Sequence, residues 1–201
     1  YTIGKIDTQK VSSPVNKILT DRKQKINDLK EVAEEAMTIK ELTVNPETNL
    51  NPRYTLDSFI VGSFNELAHA AAQSIIKNLG TNYNPFFVYG GVGLGKTHLI
   101  QAVGNEVVRN NPSLKVRYVS SEKFMSEMVD AIRNQEMGKL KDRYRSIDLL
   151  IMDDIQFIAN KEKMQEEFFH TFNSLYEKNK QIIISSDRPP QAISSLEERL
   201  R

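Results

Sequence analysis

Cysteine is absent from the 201-residue chain, and neither sign of charge dominates, because the formal net charge is only +1. Without cysteine, disulfide bridges and thiolate metal centres are excluded. The near-neutral balance argues against a basic coat for nucleic acid over the whole surface, but it permits a local basic patch. The histidines are scattered, and no two of them have the spacing of a metal-binding pair.

Long apolar runs are missing as well. No stretch approaches the roughly 18 apolar residues that a membrane-spanning helix needs, and residues 1–20 lack the charged-then-apolar pattern of a secretory leader. We therefore expect a cytoplasmic protein. The length is sufficient for one α/β domain with a real core and some additional chain.

A glycine-rich segment at residues 90–97 is the most informative part of the sequence. It fits the pattern G-x-x-x-x-G-K-[ST], follows the apolar segment 86–89 and precedes the helix-like segment 97–103. Glycines allow such a loop to point successive N–H groups inward, and a following helix adds the positive end of its dipole, so an anion cradle results. The segment consists of Gly90, Gly91, Val92, Gly93, Leu94, Gly95, Lys96 and Thr97.

We expect this loop to bind ATP together with Mg²⁺. Lys96 would contact the β- and γ-phosphates, and the Thr97 hydroxyl would ligate the metal ion. A strand-to-helix turn without a ligand is the alternative, but such a turn does not require lysine and threonine at the helix start. Val61 and Gly62, with Ile60, are placed where an apolar slot for the base is needed. On spacing alone, a plain core segment explains these three residues equally well.

A second signal is an apolar run that ends in two acids. Residues 149–152 are all apolar, which is typical of a strand buried on both faces of a parallel sheet. Asp153 and Asp154 follow at its carboxyl end, where open α/β sheets bind their ligands. We expect Asp153 to hold Mg²⁺, directly or through water, and Asp154 to orient or deprotonate the attacking water, with a plain acidic turn as the alternative. Segment 181–185 predicts another buried strand, and Asp187 beyond it is a candidate to sense the γ-phosphate or the water.

Helical patterns flank these strands. Ser63 and Glu66 form a capping-box pattern at the start of a predicted helix. Its apolar face is predicted to contain Phe64, Leu67, Ala68, Ala71, Ala72, Ile75, Ile76 and Leu79. Residues 121–145 predict two further helices between consecutive strands, the second of them basic. That is one helix more than a parallel crossover needs, so this pair is a candidate functional insertion.

The first quarter of the chain has a different character. Residues 21–42 repeat apolar side chains at spacings of three and four but are otherwise heavily charged. Residues 43–52 contain two prolines among asparagines and threonines, which indicates a boundary. We predict a linker at residues 1–51 with one charged helix, which is either a partner-docking tether or part of a solvated, partly disordered segment. The nucleotide-binding domain is predicted at residues 52–201.

Several short motifs follow one another in that domain: Tyr54-Thr55-Leu56-Asp57, Tyr83-Asn84-Pro85, the segment 90–97, Asp153-Asp154-Ile155-Gln156-Phe157 and Ser186-Asp187-Arg188. This ordered set closely resembles the AAA+ domain of the bacterial chromosomal replication initiator family, DnaA. A lone phosphate loop is shared by many families, whereas the ordered set is specific. Residues 1–51 match no motif, but they occupy the place of that family's variable linker.

The resemblance implies a three-layer AAA+ P-loop domain with a parallel sheet, in which strand 181–185 lies between strands 86–89 and 148–152. Compared with the family, the sequence stops before the arginine finger, the last sheet strand and the helical lid with its second sensor arginine. It also lacks the helix-turn-helix domain that binds duplex origin boxes, and the N-terminal domain that contacts the replicative helicase is absent or unrecognisable. We therefore expect an AAA+ domain that is incomplete at its C-terminal end.

The resemblance also implies a nucleic-acid partner. In the family, ATP-bound subunits stack through the helical insertion into a homo-oligomeric spiral filament, and single-stranded origin DNA runs through its centre. By position, Val129, Lys161 and Lys163 match residues that contact this strand. Lysines neutralise phosphates and an apolar side chain packs on sugar or base, as this role requires. A solvated basic turn is the alternative interpretation of the two lysines.

Together these features predict an ATP-dependent initiator of chromosomal replication that assembles on the origin, promotes strand opening and is switched off by weak ATP hydrolysis. Lys96 would stabilise charge on the transferring phosphoryl group, Thr97 and Asp153 would hold the metal ion, and Asp154 and Asp187 would position water. Two other classes of protein are less consistent with the sequence. A kinase would also need an acceptor pocket, and a binding module that does not hydrolyse ATP would not need the intact Lys-Thr and Asp-Asp pairs. A helicase-loading AAA+ ATPase that binds single-stranded DNA is the nearest alternative, since it shares the loop, the insertion and the strand order.

Overall fold

The computed structural model describes residues 43–159 and 161–193. The predicted charged helix at residues 21–42 lies outside the described residues. Within the described ranges no helix is both long enough and apolar enough to cross a bilayer. The strands are β1 (Phe86–Tyr89), β2 (Val116–Ser120), β3 (Leu149–Asp153) and β4 (Gln181–Ser186). The helices are α1 (Glu66–Lys77), α2 (Lys96–Asn110), α3 (Ser121–Arg133), α4 (Met137–Arg145) and α5 (Glu162–Tyr176), with 3-10 turns at Ile155–Ile158 and Pro190–Ala192.

A parallel four-stranded sheet in the order β1-β4-β3-β2 forms the middle layer. β4 lies between β1 and β3, which confirms the predicted strand order: Ile183 is the register partner of both Phe86 and Ile151. Every residue of β3 and β4 is buried, as expected for central strands with helices on both faces. All strands of a parallel sheet have their carboxyl ends on the same side, which is called the carboxyl edge below. The glycine-rich loop, the two acids and the end of β4 meet there.

Alternating side chains of β3 enter two separate cores. Leu149 and Ile151 pack with α1 and α2, whereas Leu150 and Met152 pack with α3, α4 and α5. This alternation follows from the two-residue period of a strand. The helices contribute Ala72, Ile75, Ile100 and Val103 to the first core and Phe124, Tyr144, Phe168 and Phe172 to the second.

The start of α1 differs from the sequence prediction. The helix begins at Glu66 with Asn65 at its N-cap position, so the predicted capping box with Ser63 is wrong. The Asn65 side chain instead ties the preceding loop, accepting a bond from the Gly62 N–H at 2.8 Å and donating to the Ile60 carbonyl at 3.0 Å. Full burial in α1 begins only at Ala71, and in its first turn only Ala68 packs against the core. Consequently the predicted apolar face is also wrong at its two first members: Phe64 is 72 % exposed and Leu67 is 79 % exposed.

Residues 45–51, which were predicted to belong to the linker, contact the α/β unit. The Thr48 carbonyl accepts the Tyr118 N–H at 2.8 Å, and the Asn49 amide donates to the Tyr118 carbonyl at 3.2 Å. Leu50 is 2 % exposed and belongs to the first core. β2 is an edge strand whose polar backbone groups need partners. At Tyr118 the segment supplies a partner for both backbone groups.

Gly104 in α2 offers a test of this packing. A Cβ there would lie 2.7 Å from a methyl group of Leu50 and 2.8 Å from one of Ile151, both of which are buried. Overpacking costs about 1–3 kcal/mol, and the better helix propensity of alanine offsets up to about 1 kcal/mol of that. Gly104→Ala is therefore expected to lower the free energy of unfolding by about 1–2 kcal/mol, measured by urea denaturation.

Gly138→Ala is the matched control, because a Cβ at this position in α4 would meet no atom within 4 Å. We expect it to leave the free energy of unfolding unchanged or to raise it by up to about 1 kcal/mol. Equal stability of the two variants would contradict the close approach of Leu50 to α2.

Candidate nucleotide site

The glycine-rich loop joins β1 to α2 at the carboxyl edge of the sheet. Gly93 and Gly95 have φ angles of 83° and 82°, a left-handed conformation that side chains with a Cβ rarely adopt. Gly95 is also the N-cap residue of α2, so the loop turns directly into the helix start. The Gly90 N–H donates to the Ser186 carbonyl at 3.2 Å, which attaches the loop to the end of β4. This geometry leaves the loop amides and the helix N-terminus available to an anion.

Lys96 lies against the same loop. Its ammonium group donates to the Gly90 carbonyl at 2.8 Å and to the Gly91 carbonyl at 3.0 Å. Both acceptors are neutral, so the full positive charge remains available to a stronger, anionic acceptor at the loop. The position of the lysine therefore fits its predicted role as a phosphate contact.

Thr97 and Asp153 come together although 56 residues separate them in the sequence, and the threonine hydroxyl donates to Asp153 Oδ2 at 2.9 Å. The carboxylate is only 2 % exposed, and it accepts two further hydroxyls: Tyr118 at 2.8 Å on Oδ2, and Ser185 on Oδ1. Burial, together with the neighbouring Asp153 carboxylate, raises the pKa of Tyr118 well above its usual range. The phenol thus remains a donor.

The oxygen atoms of Thr97 and Asp153 fit Mg²⁺, which prefers hard oxygen ligands and is commonly held by one or two carboxylates together with substrate phosphates. No group of three or more acidic or histidine side chains that could hold a metal ion occurs among the described residues. Such a group is not needed where a nucleotide supplies the remaining ligands. Thr97 and Asp153 are therefore the residues that would hold the ion.

The two predicted water-positioning acids are linked through Gln156. Its amide nitrogen donates to Asp154 Oδ1 at 3.1 Å, and its amide oxygen accepts the Asp187 N–H at 3.3 Å. Asp154 has φ 55° and ψ 50°, a left-handed conformation that costs a residue other than glycine energy and is common at functional sites. Asp187 Oδ1 is buried and has no hydrogen-bond partner within the described ranges, but Arg188 Nε lies 3.9 Å from it as an ion-pair partner.

The residue that precedes the predicted base slot contacts the glycine-rich loop. Phe59 packs under the glycine-rich loop, since a Cβ on Gly95 would come within 3.2 Å of its ring. The Phe59 ring also contacts His98, whose Nε2 lies 2.9 Å from the Thr55 carbonyl. Two residues later Val61 is 46 % exposed, so its apolar side chain is partly open to solvent. Val61 and Gly62 remain predicted base contacts.

The predicted DNA-contacting residues lie on α3 and at the start of α5. Val129 is half-buried, while Lys161 and Lys163 are exposed. The Lys161 ammonium lies 3.3 Å from Met125 Sδ, and Met125 is one turn before Val129 on α3. Lys161 and Val129 therefore border the same surface. Lys163 is exposed in the first turn of α5.

Three residues of this site were not found by sequence reasoning: Tyr118, Ser185 and Gln156. Ser185 did carry a signal, because a polar side chain in a strand buried throughout requires a hydrogen-bond partner. Gln156 occurs within the Asp-Asp motif but was given no role. Nothing in the alternation of β2 distinguishes Tyr118, since its contact with Asp153 depends on strand pairing.

In this parallel sheet the first strand leads through a glycine-rich loop into a helix that starts with Lys-Thr, and β3 contributes a buried acid. These features define a P-loop nucleotide-binding domain of the AAA+ class. The family model for the bacterial DnaA ATPase domain matches residues 50–201. The chain belongs to this family.

Known relatives and solved structures agree with this assignment. The chromosomal replication initiator protein DnaA of Thermomicrobium roseum is 59 % identical over 160 residues, which cover 80 % of this chain and 34 % of the relative. Domain III of the Thermotoga maritima replication initiation protein DnaA superposes with a TM-score of 0.72 at 48 % identity, covering 75 % of this chain and 63 % of that one. The chain spans about a third of the length of the curated relatives it matches.

Two further solved structures contain ligands. AMPPCP-bound DnaA from Aquifex aeolicus, and the replication initiator DnaA bound to AMPPCP and single-stranded DNA, each superpose with a TM-score of 0.71 at 47 % identity, covering 75 % of this chain and 47 % of theirs. The DnaC helicase loader has a TM-score of 0.62 at 17 % identity, covering 74 % of this chain and 87 % of the loader. At that identity the likeness shows the fold alone.

Proposed function

We propose that this chain is the ATP-responsive domain of an initiator of chromosomal replication. The observation that carries the proposal is the contact between the Thr97 hydroxyl and the Asp153 carboxylate at 2.9 Å, directly behind a P-loop that begins a helix. Membership of the DnaA ATPase family supports it, as do the AMPPCP-bound relatives.

Each polar group at the sheet edge has one task in this proposal. Lys96 and the loop amides bind the phosphates, and Thr97 and Asp153 hold Mg²⁺, which when bound supplies positive charge that neutralises phosphate oxygens. Asp154 and Asp187 orient the attacking water, and Asp154 accepts its proton. Gln156 links the two residues, because it donates to the Asp154 carboxylate and accepts the backbone N–H of Asp187.

Hydrolysis in this proposal resets a switch. Bound ATP favours an assembled homo-oligomeric filament on single-stranded origin DNA, and the conversion to ADP releases it, since a ligand can shift such an equilibrium only by its differential affinity for the two states. Val129, Lys161 and Lys163 contact the DNA strand. Duplex origin boxes and the replicative helicase are bound by other parts of the full-length protein. The fold shared with the DnaC loader gives no separate support for a loader, since its identity is 17 %.

The proposal is tested by the salt dependence of single-stranded DNA binding. With a non-hydrolysable ATP analogue, the full-length protein is expected to bind an oligonucleotide roughly 5- to 150-fold more tightly than with ADP, the usual range for coupled sites. Replacing Lys161 and Lys163 together with alanine is expected to lower the slope of log affinity against log salt by about 1.4, since each phosphate contact on a single strand contributes about 0.7.

The control is the double variant Lys77→Ala and Lys178→Ala, which removes the same charge from exposed positions at the end of α1 and after α5. It should keep the parent slope. If the two double variants behave alike, Lys161 and Lys163 do not contact DNA. If ATP and ADP support equal DNA binding, the switch itself is refuted.

A further inference from the structure

Three hydroxyl groups converge on the Asp153 carboxylate, and only Thr97 belongs to the phosphate-binding motif. The other two come from the strands on either side of β3: Tyr118 from β2 and Ser185 from β4. Tyr118 shares Oδ2 with Thr97, whereas Ser185 binds Oδ1. Hydroxyl groups of the protein therefore hydrogen-bond both oxygens of the carboxylate.

The Ser185 hydroxyl has a defined direction. Its oxygen accepts the backbone N–H of Asp154 at 3.0 Å, so its single proton is directed to Asp153 Oδ1. The same side chain thus positions the backbone of one acid and the carboxylate of the other. Ser185 is fully buried, and water cannot easily replace these bonds.

Tyr118 is held from the opposite side. Its backbone N–H and C=O are bonded to Thr48 and Asn49. The next residues of that segment are anchored on α2, because the Asn51 N–H donates to Gln101 Oε1 at 2.9 Å and the Asn51 carbonyl accepts from Asn105 at 2.8 Å. Residues 48–51 therefore hold the backbone of Tyr118, whose phenol oxygen lies 2.8 Å from Asp153 Oδ2.

We propose that Tyr118 and Ser185 are positioning residues that hold the Asp153 carboxylate in the orientation a divalent cation requires, while Thr97 alone is free to exchange its bond for a bond to the cation. This inference rests on the proposed function. Outer partners that orient a metal-binding carboxylate typically change metal affinity by about 10- to 100-fold when they are removed.

The test is the Mg²⁺ dependence of nucleotide binding by the full-length protein, followed with a fluorescent ATP analogue. Tyr118→Phe removes one hydroxyl and is expected to raise the Mg²⁺ concentration at half-maximal binding by about 10-fold or more. Affinity for the analogue in EDTA should stay at the parent value, whereas the thermal unfolding midpoint in EDTA is expected to fall, because a hydrogen bond to a buried carboxylate is lost. A residue that only stabilised the fold would shift the unfolding midpoint but leave unchanged the Mg²⁺ concentration at half-maximal binding, here called the Mg²⁺ midpoint.

Tyr144→Phe is the matched control, because it also removes a buried phenol that donates to a carboxylate, Glu127 Oε2 at 3.0 Å, but in the core on the other face of the sheet. It should leave the Mg²⁺ midpoint unchanged. Ser185→Ala is the second variant, used also if Tyr118→Phe does not fold, and it should raise the Mg²⁺ midpoint in the same way.

Parent-like Mg²⁺ midpoints for the folded variants would overturn the positioning role and leave the proposed function intact. A parent protein that binds the analogue equally with Mg²⁺ and in EDTA would overturn the metal assignment of Thr97 and Asp153, and with it both proposals. An equal rise in Tyr144→Phe would show a general effect of buried phenols and would overturn the inference.

Discussion

Full-length protein carrying Lys96→Ala is expected to bind ATP roughly 10- to 150-fold more weakly, which corresponds to about 1.5–3 kcal/mol for hydrogen bonds that involve a charged group. In the structure the ammonium of Lys96 is held by two neutral loop carbonyls. Its exchange onto phosphate oxygens is the largest charge-assisted gain available at the loop. Equilibrium binding of a labelled ATP analogue measures the loss directly.

Lys77→Ala removes the same charge from an exposed position in the last turn of α1. Its ATP affinity should equal that of the parent, which separates a local effect from the change in net charge. Normal ATP binding by Lys96→Ala would refute the assignment of residues 90–97 as the phosphate-binding loop.

A second large effect is expected from Asp154→Asn, which should lower the rate of ATP hydrolysis by about 10²- to 10⁴-fold, the usual contribution of a general base. Asparagine tolerates the left-handed backbone at this position, and its amide oxygen can still accept the bond from Gln156. The substitution thus removes proton acceptance with little change of structure. ATP affinity should stay within about twofold, since general-base catalysis acts on the transition state.

Asp142→Asn, at an exposed position of α4, loses the same charge and should hydrolyse ATP at the parent rate. Single-turnover hydrolysis with bound ATP is the appropriate measurement, because it excludes effects on nucleotide exchange. Hydrolysis at the parent rate in Asp154→Asn would transfer the role of base to another group, for which Asp187 is the next candidate.

Local chemistry explains why much of this site was predicted from sequence. A loop with left-handed backbone that an anion approaches closely requires glycine at particular neighbouring positions, as at Gly93 and Gly95. Strands buried on both faces require uninterrupted apolar runs, as in residues 149–152. Both signals lie within a few neighbouring residues and do not depend on the rest of the fold.

Prediction was weaker where two local patterns compete. Two starts of α1 fit the local sequence: a capping box of Ser63 with Glu66, or an N-cap at Asn65. The structure has the second, in which the Asn65 side chain is hydrogen-bonded to the Ile60–Gly62 loop. Residues 45–51 resemble a linker in composition, yet the open edge of β2 requires partners that this segment supplies. Neither of these tertiary contacts can be predicted from the local sequence alone.

The sequence by itself determined the phosphate loop, the acid that ends β3 and the family, since each is written in contiguous residues. Only the tertiary structure decided which hydroxyls surround Asp153, since Thr97, Tyr118 and Ser185 lie 56, 35 and 32 residues away along the chain. Their meeting depends on one pairing register, in which Ser120 faces Asp153 and Met152 faces Ile184. A slip of a single residue would turn the Tyr118 side chain to the other face of the sheet.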